Sequence, residues 1–462
     1  MTHDLLIIGG GSAGYAAART ARDGGADVAI VDHGPLGGLC ILRGCMPSKT
    51  LLRSSDIMAL LQRGAEFGLA PVTARANLPA IMDRKARLIR EFAEDRIQAL
   101  RDPRLTLYEA RASFLSPQEV DVGGQKIRAK AFVIATGSVP SRVPVPGLED
   151  VGYLTSDELL DLRTLPKSLL VLGGGPVALE LGQFFSRIGA GVTLIQQSPH
   201  LLSRHDEDVA QALEVRLQGE GMSLYCGTEL QRFSQEDGMT TAHFLQIQNG
   251  EQRKVSAELV FQALGRRPNL DGLGLEAAGV DTRDGCVKVD CEMRTSQRHI
   301  FAVGDVTGLH DIVHIAIQQG EVAAHNVLRP AAPRRMDDRL VAEVVFTDPQ
   351  VASVGLNEKA CRAQGIPYLA ASYPFADHGK ALCLGEIHGH VKLLCQPGTG
   401  ELIGAHIVGP EAGELIHALI AVMYYRGTVH DLLHMPHYHP TLAEIVTYPA
   451  EELAGRLAQK QD

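Results

Sequence analysis

The sequence predicts an α/β fold built on two Rossmann-like units, with a C-terminal α+β portion after them. Three observations carry this. Residues 4–8 form an apolar run leading into Gly9-Gly10-Gly11-Ser12-Ala13-Gly14, a G-x-G-x-x-G. Residues 168–172 lead in the same way into Gly173-Gly174-Gly175-Pro176-Val177-Ala178, a G-x-G-x-x-A. Asp32 lies 23 residues after Gly9 and Gln196 lies 23 residues after Gly173, so the two segments keep one internal register. Residues 334–462 mix strand and helix patterns and carry no such motif.

The elements follow in order. Glycines between a strand and a helix allow a tight turn and the approach of a pyrophosphate to the helix N-terminus. The second strand, residues 28–31, ends at Asp32, where an acid can accept from ribose hydroxyls. Residues 37–49 read GGLCILRGCMPSK, with Cys40 and Cys45 among Gly37, Gly38 and Gly44. Helical neighbours lie three or four residues apart. A five-residue offset therefore needs a distorted turn before two sulfurs can meet, and glycine permits one. A thiolate at a helix N-terminus is stabilised, which suits a disulfide that opens and closes. On spacing alone, two unlinked buried cysteines are the alternative.

Residues 84–101 carry apolar side chains at helical spacing and predict a surface helix. A strand at 131–135 ends in Ala135-Thr136-Gly137, and Pro140, Pro144, Pro146 and Gly147 mark a linker. After the second glycine motif, a strand at 259–264 precedes Gly265-Arg266-Arg267-Pro268-Asn269. A strand at 299–303 ends in Gly304-Asp305, an acid placed to hold a polyol hydroxyl. Pro330, Pro333 and Arg334-Arg335 mark the last boundary. Two complete glycine sets imply two nucleotide cofactors. The alternative is one unit that kept its shape and lost its ligand.

Composition narrows the class. The 462 residues are 45% apolar and 21% charged, ordinary for a globular protein with several domains. A net charge of −10 gives no electrostatic support for nucleic-acid binding. No apolar run is long enough to span a membrane, and the N-terminus enters a strand without a signal-peptide pattern. Eight cysteines in so long a chain are not a secreted disulfide framework, so a reducing, cytoplasmic setting is expected. Cys226, Cys286, Cys291, Cys361, Cys383 and Cys395 show no metal-ligand spacing and are read as structural. No metal site is expected. His434 and His437 lack a further ligand at a suitable spacing.

The stretches IIGGGSAGYAAAR, GGLCILRGCMPSK, VIATGS, LGGGPVALELG, ALGRRPN, IFAVGDV, VFTDPQVASVG, ELIGAHIVGPEAGELI and HPTLAE run from the first strand to near the C-terminus. Together they resemble the pyridine nucleotide–disulfide oxidoreductases of the dihydrolipoamide dehydrogenase and glutathione reductase group. The resemblance implies two Rossmann-like dinucleotide-binding domains plus a C-terminal α+β dimerisation domain. It divides the chain into an FAD-binding part at 1–146, an NAD(P)-binding domain at 147–270, a second FAD/central part at 271–333 and an interface domain at 334–462, in a homodimer.

The resemblance also assigns roles. Cys40 and Cys45 become a redox disulfide, with Cys45 beside the flavin and Cys40 exchanging with substrate; such exchange needs a thiolate and a proton acceptor. His439 becomes the acid–base histidine and Glu444 the carboxylate that orients its ring, the pair reaching the disulfide of the other subunit. Lys49 and Glu180 match an ion pair beside the flavin. The implied cofactor-binding residues are Gly9, Gly11, Ser12, Gly14, Asp32, Gly38, Lys49, Ala135, Thr136, Gly137, Gly304 and Asp305, with Gly173, Gly175, Glu180, Gln196 and Gly265. The cofactors are FAD and NAD.

Within the group the sequence departs from each pattern somewhere. Asp32 replaces the usual Glu, and Ile41-Leu42-Arg43 replaces the usual Leu-Asn-Val of dihydrolipoamide dehydrogenases. Ser12 and Arg19 match positions that glutathione reductases use, whereas HPTLAE is of the lipoamide type. Against mercuric reductase, the tail EELAGRLAQKQD has no cysteine pair. Gln196 stands at the acid's offset, followed by Gln197 and Ser198, and Arg204 and His200 are the nearby cations. A 2′-phosphate needs a positioned arginine, so a modest preference for NAD over NADP is expected. The sequence thus predicts an NAD-linked dihydrolipoamide dehydrogenase acting on a lipoyl-carrying protein or a small disulfide substrate. The alternatives are a glutathione-reductase-like NADPH disulfide reductase and a redox-inactive flavoprotein scaffold.

Overall fold

The computed structural model describes residues 2–459. The chain divides into two compact units. The first takes the N-terminal segment as far as Ser48, with Asp83–Arg142 and Gly265–Met336. The second takes Lys49–Met82, Val143–Leu264 and the segment beginning at Asp337.

In the first unit the strands Leu105–Tyr108, Val28–Val31, Thr2–Ile8 and Gln125–Ile134 lie side by side in that order and run parallel, Ile8 facing both Val31 and Ile134. Ile300–Ala302 adds alongside Gln125–Ile134, also parallel. An antiparallel ribbon, Ala112–Ser116 and Glu119–Val122, pairs with the first residues of Gln125–Ile134, Val122 facing Gln125 and Glu119 facing Arg128. Every side chain of Val28–Val31 is buried, as expected of a parallel strand covered on both faces. One apolar core lies between this sheet and the helices Ser12–Asp23 and Val313–Leu328.

The second unit repeats the plan. Ser223–Tyr225, Gly191–Ile195, Ser168–Leu172 and Leu259–Gln262 form a parallel sheet in that order. An antiparallel ribbon of Thr228–Glu236, Met239–Gln246 and Glu251–Ala257 precedes the last of these strands. The helix Pro176–Arg187 follows the second glycine motif and is buried along most of its length. The same unit holds an antiparallel sheet in the order Ala342–Val345, Gln350–Gly355, Leu402–Gly409, His390–Cys395, Leu369–Pro374. Helices Ala412–Tyr424 and Thr447–Ala458 cover it through a shared apolar core.

The strand-final boundaries predicted from sequence run slightly long. Leu259–Gln262 and Ile300–Ala302 stop short of the turns that hold the glycines. The helix expected at 84–101 is Leu78–Leu100, starting earlier because Leu78 and Met82 extend its buried stripe. Among the described residues no helix is long and apolar enough to cross a membrane.

Candidate active site

The two glycine motifs build the same turn. Gly9 and Gly173 adopt φ of 107° and 111°, a region that favours glycine. Each lies against the end of the neighbouring strand: a Cβ on Gly9 would sit 2.3 Å from the Ala135 carbonyl oxygen, and one on Gly173 would sit 2.6 Å from that of Ala263. Gly11 and Gly175 cap the helices Ser12–Asp23 and Pro176–Arg187 without a side-chain hydrogen bond. A Cβ at either would meet nothing within 4 Å among the described residues. That leaves clear approaches to two helix N-termini, which fits the pyrophosphates of two dinucleotides. Ser12 opens the first helix at this approach.

Asp32 is half-buried at the end of its strand. Its Oδ2 accepts from the Gly10 amide at 2.7 Å and its Oδ1 from the Gly34 amide at 2.8 Å. A carboxylate held this way keeps lone pairs for a ribose hydroxyl. In the second unit Gln196 sits at the same offset. Its backbone pairs with Tyr225 and Thr228, and its side chain lies against Gly174, whose Cβ would come within 3.0 Å of it. His200 is engaged by two carboxylates, Glu207 at 3.2 Å and Glu214 at 3.6 Å, and Arg204 is exposed.

The cysteine segment is two helices, Leu39–Arg43 and Cys45–Gln62, separated at Gly44. The distortion expected within one turn is thus a full break. Cys40 and Cys45 are both half-buried. Gly38, which caps the first of these helices, lies against the first glycine loop; a Cβ there would be 2.7 Å from the Gly11 Cα. The backbone thereby holds the cysteine segment beside the dinucleotide loop of the same unit.

Three distant motifs also converge in the first unit. Strand Arg266–Pro268 pairs with Ser138–Pro140, and the Gly265 carbonyl accepts from the Ser141 amide at 3.0 Å. The Thr136 hydroxyl donates to the Asn269 carbonyl at 2.7 Å, and the Asn269 amide to the Gly137 carbonyl at 2.9 Å. Asp305 follows: its Oδ2 accepts from the Ser138 hydroxyl at 2.5 Å, and Arg266 donates to that same hydroxyl at 2.8 Å. Buried Gln319 accepts from the Gly304 amide at 2.7 Å and fixes the turn. Ser138, Arg266 and Gln319 carry no site role in the sequence reading. The first two stand inside quoted motifs, and only their pairing reveals what they do.

The second unit holds the remaining candidates. Lys49 donates to both Glu180 oxygens, at 3.0 and 2.8 Å, and lies 4.5 Å from the Phe346 ring centroid. Glu180 is buried and also accepts from the Phe346 amide at 3.0 Å. Near the C-terminus, Glu444 lies in the 3-10 turn Leu442–Val446, anchored by buried Ile445 and Val446. The His439 Nδ1 stands 3.1 and 3.0 Å from the two Glu444 oxygens. The carboxylate side chain is 13% exposed and the imidazole 80%. With Nδ1 donating to the carboxylate, Nε2 carries the lone pair, on the exposed ring. His437 is turned instead to the Leu432 carbonyl, at 2.9 Å.

Burial separates Cys226 and Cys395 from this chemistry. It pushes the Cys226 thiol up to about 12 and that of Cys395 up to about 11, away from the reactive thiolate. Among the described residues no three His, Cys, Asp or Glu side chains are grouped to hold a metal ion.

Comparison with known proteins places the chain in a family. Residues 3–320 match the family described as pyridine nucleotide-disulphide oxidoreductase, and residues 341–450 match the dimerisation domain of that family. A mercuric reductase of Staphylococcus aureus is 37% identical over 412 residues, covering 89% of this chain and 75% of that protein. A dihydrolipoyl dehydrogenase of Thermus scotoductus is 36% identical over 418 residues, covering 89% and 88%. Among solved structures, the HOCl-induced flavoprotein disulfide reductase RclA from Escherichia coli superimposes with a TM-score of 0.85 at 25% identity, covering 97% of this chain and 99% of RclA.

Proposed function

This chain belongs to the pyridine nucleotide–disulphide oxidoreductase family, flavoproteins that use FAD and NAD(P), and from that premise we propose that it is an NAD-linked dihydrolipoamide dehydrogenase. The observation that carries the reading is the His439–Glu444 pair, a buried carboxylate holding an exposed imidazole with Nε2 outward. Oxidation of a dithiol needs a base that takes a thiol proton at each exchange step. Reduction of a bare metal ion does not.

His439 Nε2 takes a proton from one substrate thiol. The thiolate attacks Cys40, the Cys40–Cys45 bond breaks, and a mixed disulfide forms with Cys45 left as thiolate. His439 releases its first proton to solvent and takes that of the second substrate thiol, and the new thiolate displaces Cys40 as a thiolate, so the substrate leaves as a disulfide. Two electrons now rest on the cysteine pair, and FAD, when bound, would supply the redox chemistry that links this pair to a nicotinamide nucleotide. Gly9, Gly11, Gly14, Asp32, Gly38, Thr136, Gly137 and Asp305 would hold the flavin nucleotide. Gly173, Gly175 and Gln196 would hold the nicotinamide nucleotide, and Lys49 with Glu180 would order the site of hydride transfer. The domain limits at 146, 270 and 333 and the homodimer with shared sites belong to this proposal.

A second reading, NADPH-dependent reduction of a disulfide or of mercuric ion, is favoured by the 37% identity to mercuric reductase and by the likeness to RclA. Steady-state rates with dihydrolipoamide and NAD⁺, and with glutathione disulfide or Hg(II) and NADPH, separate the two. Dihydrolipoamide oxidation is expected to have the highest kcat/KM. If Hg(II) or a disulfide with NADPH exceeds it, the second reading replaces the first.

A further inference from the structure

We propose that His378 is a positioning residue for the His439–Glu444 pair, its Nε2–H donating to the Glu444 carboxylate so that this carboxylate is held between two histidines. The inference rests on the reading of His439 as the acid–base group. His378 lies between the 3-10 turn Phe375–Asp377 and the short helix Gly379–Leu384, far from the pair in sequence. Its amide donates to the Phe375 carbonyl at 3.1 Å, and its own carbonyl accepts from Leu382 at 3.0 Å. The ring is wholly buried, and neither nitrogen has a hydrogen-bond partner among the described residues. Buried polar groups without partners are few in native proteins and call for a specific reason.

The reason is at hand. His378 Nε2 stands 3.5 Å from Glu444 Oε1, close enough for a small rotation of either side chain to make the bond. A lone pair facing a carboxylate would be repelled, so the proton belongs on Nε2. Burial holds the His378 ring below the usual imidazole range, with the Glu444 charge opposing and His439 adding to that effect. His378 is thus a neutral donor at neutral pH. It steadies the carboxylate without cancelling the charge that His439 uses. The Tyr448 ring packs edge-on against His378, at 6.1 Å and 83°, and stacks on Tyr373 at 4.2 Å. Besides Glu444 and His439, the ionisable group packed on the ring is the Tyr448 phenol, with Tyr373 stacked behind it. Burial raises the Tyr373 phenol further, and its hydroxyl donates to the Asp377 carbonyl at 3.2 Å. The neighbouring Asp377 is exposed and Lys380 half-buried. Glu444 is the carboxylate within ion-pair distance of the ring.

A donor on the carboxylate spreads its charge. Removing the donor leaves more of that charge to His439 and favours the imidazolium. In His378→Leu, the pKa of His439, followed by NMR of ¹⁵N-histidine-labelled holoenzyme, is expected to rise by about half to one pH unit. The acid limb of the kcat/KM profile for dithiol oxidation should move up with it. His378→Gln, whose amide nitrogen can replace Nε2, is expected to restore the wild-type value. In a Glu444→Gln background, His378→Leu should leave the His439 titration unmoved, because the coupling runs through the carboxylate. No shift, a downward shift, or an equal shift in both backgrounds overturns the proposal. The ¹⁵N spectrum of the wild type decides if the leucine variant does not fold: His378 is expected as the Nε2–H tautomer, and an Nδ1–H tautomer sinks the idea. Full turnover in His439→Gln would instead remove the acid–base reading, while leaving the measured His378–Glu444 coupling in place.

Discussion

Because Glu444 holds Nδ1 of His439, the imidazole presents Nε2 outward, and under the proposed mechanism the two residues should fail unequally. His439→Gln removes the proton acceptor and is expected to slow dithiol oxidation by ~10²-fold or more with FAD still bound. Glu444→Gln keeps a partner for Nδ1 and should cost less. Stopped-flow reduction of the two variants by dihydrolipoamide checks this, and equal rates in wild type and His439→Gln would take His439 out of the mechanism. In the proposed function the coenzyme preference turns on one side chain in the same way. Gln196 can accept from a 2′-hydroxyl and also donate to a 2′-phosphate, while His200 is already engaged by Glu207 and Glu214. Gln196→Glu adds a charge that repels the phosphate, so the NAD/NADP ratio of kcat/KM should rise by roughly tenfold. A wild-type ratio below one would contradict the NAD assignment. Candidates of this kind follow from sequence where a motif names them. The proposed partner His378 does not, because it lies 66 positions before Glu444 in a segment without a spacing signal, and only burial and distance point to it.

At the scale of elements, the glycine loops separate what the backbone needs from what a ligand needs. A Cβ on Gly14 would lie 1.8 Å from the Gly9 carbonyl oxygen, a collision of helix with strand end. Gly11 has open space on that side. Gly14→Ala is therefore expected to lose flavin and thermal stability together. Gly11→Ala should leave the melting temperature of the apoprotein unchanged and weaken flavin retention alone, as read by absorbance after desalting; matched losses of fold in both variants would contradict this. The strand Leu402–Gly409 supplies a second test. His406 is buried, with Nε2 donating to the Leu356 carbonyl at 3.0 Å, and burial pulls its pKa down to about 4. Between that value and the ordinary imidazole range the unfolded chain binds the extra proton. The stabilisation is thus complete above about pH 6.5 and is lost as pH falls towards 4, by about 3 kcal/mol at most. Urea unfolding at intervals across that window should show His406→Gln with a flatter pH dependence than wild type, and parallel curves would mean that His406 titrates normally. Glycine motifs and apolar runs made the parallel strands readable. The exact ends of strands and the break at Gly44 were not, because tertiary packing sets them.

For the whole molecule, the internal repeat was legible because two glycine turns at one register are a local pattern. The division of contacts was less so: Lys49–Met82 groups with the second unit although it continues the helix that begins at Cys45. Sequence spacing does not encode which core a helix face joins, since an apolar stripe fits either. Assembly is the remaining question at this scale, and the exposed His439 ring frames it. Residues 341–450 match a dimerisation domain, and a closed symmetric dimer presents the same patch from both subunits. If each site joins the cysteines of one subunit to the histidine of the other, two inactive chains should complement. The Cys40→Ser homodimer lacks the disulfide at both sites, and the His439→Gln homodimer lacks the base at both. Their heterodimer carries one site with neither change and one with both. Random pairing makes half the dimers mixed, each with one working site of two, so coexpression is expected to restore about a quarter of wild-type turnover. The heterodimer is isolated with two different affinity tags and assayed with dihydrolipoamide and NAD⁺. After isolation it should approach half the wild-type rate per dimer. Activity no higher than that of the two homodimers would mean that each site is complete within one chain.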